Sequence, residues 1–436
     1  MTYMLLIHEP AGQRATPTEA EGRKLPPAGC AGTMARMNED ANVQAREQFL
    51  NGLAHFQAGR LQQAEQCFEA SLVLVPGRVS TLTNLGATRV RLGKAAAAQP
   101  LLEAATAADP GNLEAWYNLG LVHKAAGRAD HALACFDQAL AIDPGSAPVL
   151  LCRGQVLGVL GQLDEALASF DKSIASQPAL GQAWSDRGTL LREMGRMDEA
   201  ATSFEKAIAA GANLELNAWF LASVRGDGSA RSAPREYVER LYDDYAADFQ
   251  DHLVGELQYR AHETLIEHLL QMKTRHFRSV LDLGCGTGLC GVLITPVAGR
   301  VDGVDISSAM VAQARTTGAY TLLVHEDIAD FLRDADRSDD LVLASDVFVY
   351  LGDLDRLFTG VARVLEAGGQ FCFTVEPATG DAEVQLLPSL RYAHSERYIR
   401  RLADQHGFEV DASFKAALRN DGDEAVEGLY FYLSRS

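Results

Sequence analysis

Residues 280–291 read VLDLGCGTGLCG, an acid set inside a short apolar run that opens into a turn of closely spaced glycines. Val280, Leu281 and Leu283 suit a buried strand, Gly284, Gly286 and Gly288 let the backbone approach a ligand closely, and a helix is expected to open near Leu289. About one helix further on, a second strand, VDGVDIS, ends in Asp305. A carboxylate at the tip of a second strand can accept hydrogen bonds from both hydroxyls of a ribose, so the chemistry expected here is the binding of a nucleoside-bearing cofactor.

Two cofactor classes share that arrangement, those of dinucleotide oxidoreductases and of S-adenosylmethionine methyltransferases, and the residues separate them. A dinucleotide site framed on Gly284 and Gly286 needs a third glycine at 289, where the chain has Leu289. Shifting the frame to Gly286, Gly288 and Gly291 restores the spacing but runs the strand through Gly284, a poor interior strand residue. Asp282 would repel a pyrophosphate, whereas it could support a turn that holds an ammonium group. S-Adenosylmethionine carries an amino acid's ammonium and no phosphate.

Residues 235–436 resemble a class I S-adenosylmethionine-dependent methyltransferase, with DLGCGTG as the glycine motif. VDGVDISSAM (301–310), HEDIADFL (325–332), DDLVLASDVFVYLGDL (339–354) and LEAGGQFCFTVE (365–376) resemble the second to fifth strand motifs, in order. The resemblance implies an α/β Rossmann-like domain with a seven-stranded, mostly parallel sheet, and LYFYLSRS as its antiparallel last strand. It implies that Asp282, Gly284, Cys285, Gly286 and Gly288 form the cofactor turn, that Asp305 and the adjoining Ile306 meet the ribose, and that Met310 packs on adenine. Asp327 with the Ile328 amide would read the adenine amino group, and Ser345 and Asp346 would face the methyl-transfer site. Taken alone, Asp327 also reads as a helix N-cap and Met310 as a core methionine.

Residues 237–270 are aromatic-rich with helical spacing, and in the methyltransferases they resemble a comparable segment folds over the cofactor as a lid. Tyr242, Tyr245 and Phe249 would lie on it, and Arg260 would pair with the cofactor carboxylate. The same rings could instead bury a helix against the sheet. Arg391, Tyr392 and His394 sit after the fifth strand, where class I enzymes build the acceptor pocket. His394 titrates near neutral pH and could take a proton from an acceptor hydroxyl or amine, or serve as a structural histidine. Asp346 and Tyr350 are alternative catalytic contacts. Methyl transfer is an in-line displacement, and alignment alone can reach effective molarities on the order of 10⁵ to 10⁸ M, so a base is not obligatory. Neither Cys285 nor Cys372 has a histidine nearby in sequence, which speaks against a covalent cysteine intermediate.

The first half of the chain is periodic. Gly59, Gly93, Gly127, Gly161 and Gly195 stand 34 residues apart, as do Ala64, Ala98, Ala132, Ala166 and Ala200, and also Gly52, Gly86, Gly120, Gly154 and Gly188. Pro76, Pro110, Pro144 and Pro178 keep the same step, with Ala212 in place of a fifth proline. The unit resembles the tetratricopeptide repeat, a helix pair that stacks into a superhelix. Five repeats predict an all-α solenoid over residues 38–225, closed by a capping helix at 214–225. Two residues before the second glycine stand Leu50, Asn84, Asn118, Cys152 and Asp186 in turn. Asn84 and Asn118 could clamp a peptide backbone, so a protein partner in the groove and a structural or dimerising solenoid are both open.

Around these units, residues 1–37 are expected to be disordered, 226–236 to form a polar linker, 237–278 a helical lid and 279–436 the catalytic core. A net charge of −19 without a basic cluster disfavours nucleic acid as partner. The run Ser345, Asp346, Val347, Phe348 also lacks the prolines that base-methylating enzymes of this class carry. Seven scattered cysteines without a CxxC, no apolar run of membrane-spanning length and no basic region before the first hydrophobic stretch fit a cytoplasmic protein, and no metal site is expected. The expected function is S-adenosylmethionine-dependent methyl transfer to a small-molecule or protein/peptide acceptor. An inactive scaffold that binds S-adenosylmethionine or S-adenosylhomocysteine and a dinucleotide-dependent oxidoreductase are the alternatives.

Overall fold

The structure, a computed structural model, describes residues 28–226, 230–246, 258–272, 276–421 and 424–436, the side chains of 28–38, 244, 245, 420, 421 and 424 excepted. Two compact units result: Met1–Gly195 with Ala209–Ala212, and Arg196–Ile208 with Asn213–Ser436.

In the first unit the described residues form α1 (Ala28–Gln57), α2 (Leu61–Leu74), α3 (Val79–Arg91), α4 (Ala95–Ala108), α5 (Leu113–Ala125), α6 (Ala129–Ile142), α7 (Ala147–Val159), α8 (Leu163–Ser176) and α9 (Gly181–Glu193). The disorder expected for residues 1–37 falls outside the described residues up to 27, and α1 opens at Ala28. The two glycine ladders have different causes. A Cβ on Gly120 would lie 2.5 Å from the ring of Phe136, so the glycine is the notch into which the next helix's ring fits; Gly52 does the same for Phe68, Gly86 for Leu102 and Gly154 for Phe170. The other ladder closes the turn within each pair, where Gly59, Gly93, Gly127 and Gly161 have φ of 68 to 72°, the left-handed region. Ala64, Ala98, Ala132 and Ala166 are fully buried at the helix crossings.

Asn84 and Asn118 are 3% and 1% exposed, and their Nδ2 groups donate back to Ser80 and Glu114 carbonyls at 2.8 and 2.7 Å. Each side-chain amide thus spends one Nδ2 donor on the preceding turn of its own helix, while the Asn118 Oδ1 has no hydrogen-bond partner. Asp186 is likewise engaged, accepting from Gln155 and Gln182 at 2.5 and 2.6 Å.

The second unit begins earlier than the expected boundary at 225. α10 (Met197–Ala209) and α11 (Leu214–Arg225) precede α12 (Arg235–Tyr245), and the reason for the shift is aromatic packing: Trp219 and Phe220 of α11 lie 4.8 and 6.1 Å from the ring of Tyr237. Much of the expected linker is also tied down. Gly352 and Asp353 N–H groups donate to the Arg231 carbonyl at 2.8 and 2.9 Å, and Ala233 N–H donates to the Tyr350 carbonyl at 2.9 Å.

After α13 (Ala261–Met272), β1 (Val280–Leu283), α14 (Leu289–Ile294), β2 (Val301–Asp305), α15 (Ser308–Thr316), β3 (Leu322–His325), α16 (Ile328–Asp334), β4 (Asp339–Ala344), α17 (Asp355–Val364) and β5 (Leu365–Pro377) alternate as strand and helix. The strands β3, β2, β1, β4 and β5 lie side by side in that order, all parallel. β1 and β4 are buried along their whole length, as parallel strands covered on both faces must be. α18 (Glu396–Gln405) precedes a hairpin of β8 (Phe408–Asp421) and β9 (Glu424–Arg435), and β9 inserts antiparallel between β5 and β8. Nine strands are present among the described residues rather than seven, because β6 (Val384–Leu386) and β7 (Tyr392–His394) add a short hairpin at the end of β5. The LYFYLSRS strand is antiparallel as expected but is interior to the sheet.

Replacing Gly120 by Val should force the buried Phe136 ring from its notch and destabilise the repeats by roughly 1–3 kcal/mol. A lowered midpoint in thermal or denaturant unfolding checks this, with Gly111→Val in a nearby exposed turn as control.

Candidate active site

The carboxyl ends of β1, β2 and β4 open into a cavity of about 620 Å³ within the second unit, in the range of small-molecule sites. At one end stands the glycine turn. Gly284 has φ 65°, and a Cβ there would lie 2.5 Å from Val347, so only glycine lets the turn pass beneath the loop after β4. Asp305 accepts from Gly286 N–H at 2.8 Å through Oδ2 and from Ser307 N–H at 2.9 Å through Oδ1. Burial raises its pKa while these two amides oppose the rise. Each oxygen keeps a lone pair for a ribose hydroxyl.

Asp282 is buried beneath the turn and accepts the Tyr320 hydroxyl at 2.6 Å. Burial pushes its carboxyl up to about 7. Tyr320 itself fits where Gly288, Gly291 and Gly303 carry no Cβ. Met310 and Ile328 are buried at the cavity wall with Ile306 and Cys285 beside them. Asp327 both lines the cavity and caps α16, accepting from Ala329 and Asp330 N–H at 2.8 and 3.2 Å. Met310 likewise is both core and wall.

Thr287 gives a direct sign of fit to a polar ligand. It lines the cavity, is 4% exposed, and its Oγ1 has no hydrogen-bond partner. An apolar slot of Met310, Ile328 and Val347, a carboxylate with spare lone pairs and an orphan hydroxyl fit S-adenosylmethionine's adenine, ribose and amino-acid parts.

At the other end, Ser345 shares a hydrogen bond of 2.9 Å with Tyr259, and Asp346 follows with φ 57°, an uncommon conformation for a side-chain-bearing residue. Thr374 accepts from the Asp346 N–H at 2.8 Å. The Asp346 carboxylate is bound by Arg391 at 2.7 Å and Arg419 at 3.4 Å, and the same arginines reach Glu376 at 2.6 and 2.8 Å. The Tyr242 hydroxyl of α12 donates to Tyr350 at 3.0 Å, and burial raises the Tyr242 and Tyr259 phenols, which keep their protons. Asp243 fastens the same helix to the start of α15, accepting from Ser307 Oγ at 2.6 Å and Ala309 N–H at 3.2 Å.

Several expected residues stand elsewhere. His394 is fully buried, bonds the Gly352 carbonyl at 3.2 Å and stacks on Tyr398, and it does not line the cavity. Burial takes its pKa down to about 4, so it is a neutral packing group. Arg260 points away: its side chain is 70% exposed and pairs with Glu263 at 2.9 Å. Tyr392 is buried with its hydroxyl on the Ala230 carbonyl at 3.2 Å. The side chain of Tyr245 and all of Phe249 lie outside the described residues. Conversely, Arg419, Tyr320 and His262 belong to the site without having been singled out. His262 lines the cavity stacked on Tyr259, with its pKa lowered by burial. Its place three residues beyond Tyr259 is the one signal that could have found it.

The methyltransferase domain family matches residues 280–369, and the tetratricopeptide repeat family matches 83–147 and 153–215. A protein of Saccharomyces cerevisiae named as a probable S-adenosylmethionine-dependent methyltransferase is 25% identical over 38% of this chain and 57% of its own length. The malonyl-[acyl-carrier protein] O-methyltransferase of Salmonella typhimurium is 34% identical over 27% of this chain and 48% of its own. The chain thus spans about half the length of these curated relatives. Among solved structures, magnesium protoporphyrin IX methyltransferase from Synechocystis with bound SAH aligns at TM-score 0.38 and 18% identity, covering 46% of this chain and 99% of that one. The chain carries tetratricopeptide repeats followed by an S-adenosylmethionine-dependent methyltransferase domain.

Asp282 binds its proton more tightly in the native state than in the unfolded chain, where an aspartate titrates near about 4. Its contribution to stability is therefore present below about pH 4, declines as pH rises toward 7, and is lost above, at about 1.4 kcal/mol per unit of elevation. Asp282→Asn should melt higher than the parent at pH 8 and equal it at pH 4, with the Tyr320 hydrogen bond kept; thermal melts at both pH values measure this.

Proposed function

We propose that this protein transfers the methyl group of S-adenosylmethionine to a small-molecule or peptide acceptor bound at the far end of the same cavity. The observation that carries the reading is the cavity's polarity of construction: the Gly284–Gly288 turn braced by Asp305 at one end, and Ser345, Asp346, Tyr350, Arg391 and Arg419 at the other. In this reading Asp305 takes the ribose, Met310 and Ile328 flank adenine, Asp327 and the Ile328 amide read its edge, and Thr287 and Asp282 serve the amino-acid end. The cofactor supplies an electrophilic methyl group. The protein aligns the acceptor's lone pair behind it and keeps water out, for which α12 acts as lid through Val238, Leu241 and Tyr242, all at the cavity wall. The relative named malonyl-[acyl-carrier protein] O-methyltransferase supports an oxygen acceptor.

The repeats would recruit a partner or join two copies of the chain, supported by the use of such solenoids as scaffolds for contact. No described helix is long and apolar enough to cross a membrane, and a cytoplasmic location is proposed from the scattered cysteines.

Calorimetric titration with S-adenosylhomocysteine tests the cofactor site. The intact chain should bind, and Asp305→Ala should weaken binding by about tenfold or more, about 1.4 kcal/mol. An intact, folded chain that does not bind would sink the reading.

A further inference from the structure

Within the proposed methyltransferase reading, we infer that the acceptor presents a carboxylate, received by Arg391 and Arg419, and that a carboxylate oxygen takes the methyl group.

The two guanidinium groups reach the cavity from separate elements, Arg391 from the turn before β7 and Arg419 from the far part of β8, beyond the end of β5. Both line the cavity, with side chains only 18% and 12% exposed. Glu376 does not line it. From behind, Glu376 Oε1 accepts Arg391 Nε at 2.6 Å and Arg419 Nη2 at 2.8 Å, which fixes both forks. Asp346 takes one further bond from each, from Arg391 Nη2 and Arg419 Nη1. Each guanidinium has five N–H donors, so a pair of bonds apiece leaves donors over. The four side chains together carry two positive and two negative charges, and the two arginines and Asp346 line the cavity while Glu376 does not. Paired, planar and largely desolvated arginines suit an oxyanion with two oxygens.

The proton balance points the same way. A carboxylate lone pair attacks the methyl carbon, the C–O bond forms as the C–S bond breaks with its electrons going to sulfur, and a neutral ester and thioether result. No proton has to leave the acceptor. A hydroxyl or ammonium acceptor would need a base, yet Asp346 is committed to two arginines and His394 is outside the cavity. An ammonium would also meet the arginines directly. His262 is the one imidazole among the described residues at the cavity wall.

The test uses the full chain loaded with S-adenosylhomocysteine. Acetate, malonate, succinate and benzoate are titrated against acetamide, malonamide, succinamide and benzamide by ligand-observed NMR. At least one acid should bind about tenfold or more tightly than its amide. That preference should vanish in Arg419→Gln and weaken in Arg419→Lys, which keeps the charge and loses the fork. S-Adenosylhomocysteine binding by each variant reports that it is folded. In parallel, tritiated methyl transfer from S-adenosylmethionine into a cell extract is split into low-mass and protein fractions, which separates a free acid from a protein-borne carboxyl. The label should be released as volatile methanol by mild base. Base-stable label, or acids bound no better than amides, overturns the proposal. Loss of S-adenosylhomocysteine binding in the parent chain would instead overturn the methyltransferase reading beneath it.

Discussion

The carboxylate of Asp305 ties together the parts of this site that the strands alone leave apart. One oxygen holds the turn after β1 through Gly286 and the other holds the turn after β2 through Ser307. Ser307 passes the constraint on, since its hydroxyl caps α15 by accepting Met310 N–H at 3.1 Å and donates to Asp243 of α12. A single buried acid thus sets the glycine turn, the start of the helix that carries Met310, and the seat of the helix over the cavity. Its pKa is raised by the burial that this position demands, and charge-assisted bonds to backbone amides limit the rise.

The rest of the cavity is organised by where buried charge is tolerated. Acids gather at the end formed by the carboxyl ends of β1 and β2 and the start of α16: Asp282, Asp305 and Asp327. Arginines gather at the other end, locked to Asp346 and Glu376. Taking such ions from water costs several kcal/mol apiece, and mutual attraction repays this only when geometry is good and the remaining donors are satisfied. The arginine lattice has surplus donors, so it is worth more with a ligand than without one. Asp282 makes a similar compromise, being held near neutrality by burial for the sake of its place under the turn.

Much of this was legible in the sequence because the governing constraints are local. The glycine spacing, the acid ending the second strand and the 34-residue step each reflect a backbone or packing demand confined to a few neighbouring residues. Gly284, at φ 65° in its own turn, and Gly120, against Phe136 of the following helix, show how direct that link is. What depended on long-range placement was not legible. Arg419 reads as one residue of a strand, and only the reach of the β8–β9 hairpin past β5 brings it to Asp346, 73 positions earlier. His394 has the residue type and the sequence position of an acceptor-pocket base, but the inserted β6–β7 hairpin turns it into the core. Arg260 lies next to Tyr259, which lines the cavity, and faces outward.

The cover of the cavity is held differently from its floor. Residues 231–233 are joined to 350–353 by backbone bonds, Tyr242 meets Tyr350, and Asp243 meets Ser307, so segment 230–246 is fastened at both rims. Each such bond contributes about 1 kcal/mol net, more where Asp243 carries charge. Beneath it, nine paired strands among the described residues and two clusters of buried side chains form the core. Breaking the Tyr242 and Asp243 contacts would free α12 while leaving the Asp305 brace on Gly286 intact. α12 can therefore be released from both rims at modest cost without dismantling the glycine turn, and its seating is coupled to that turn because Ser307 bonds to both Asp305 and Asp243.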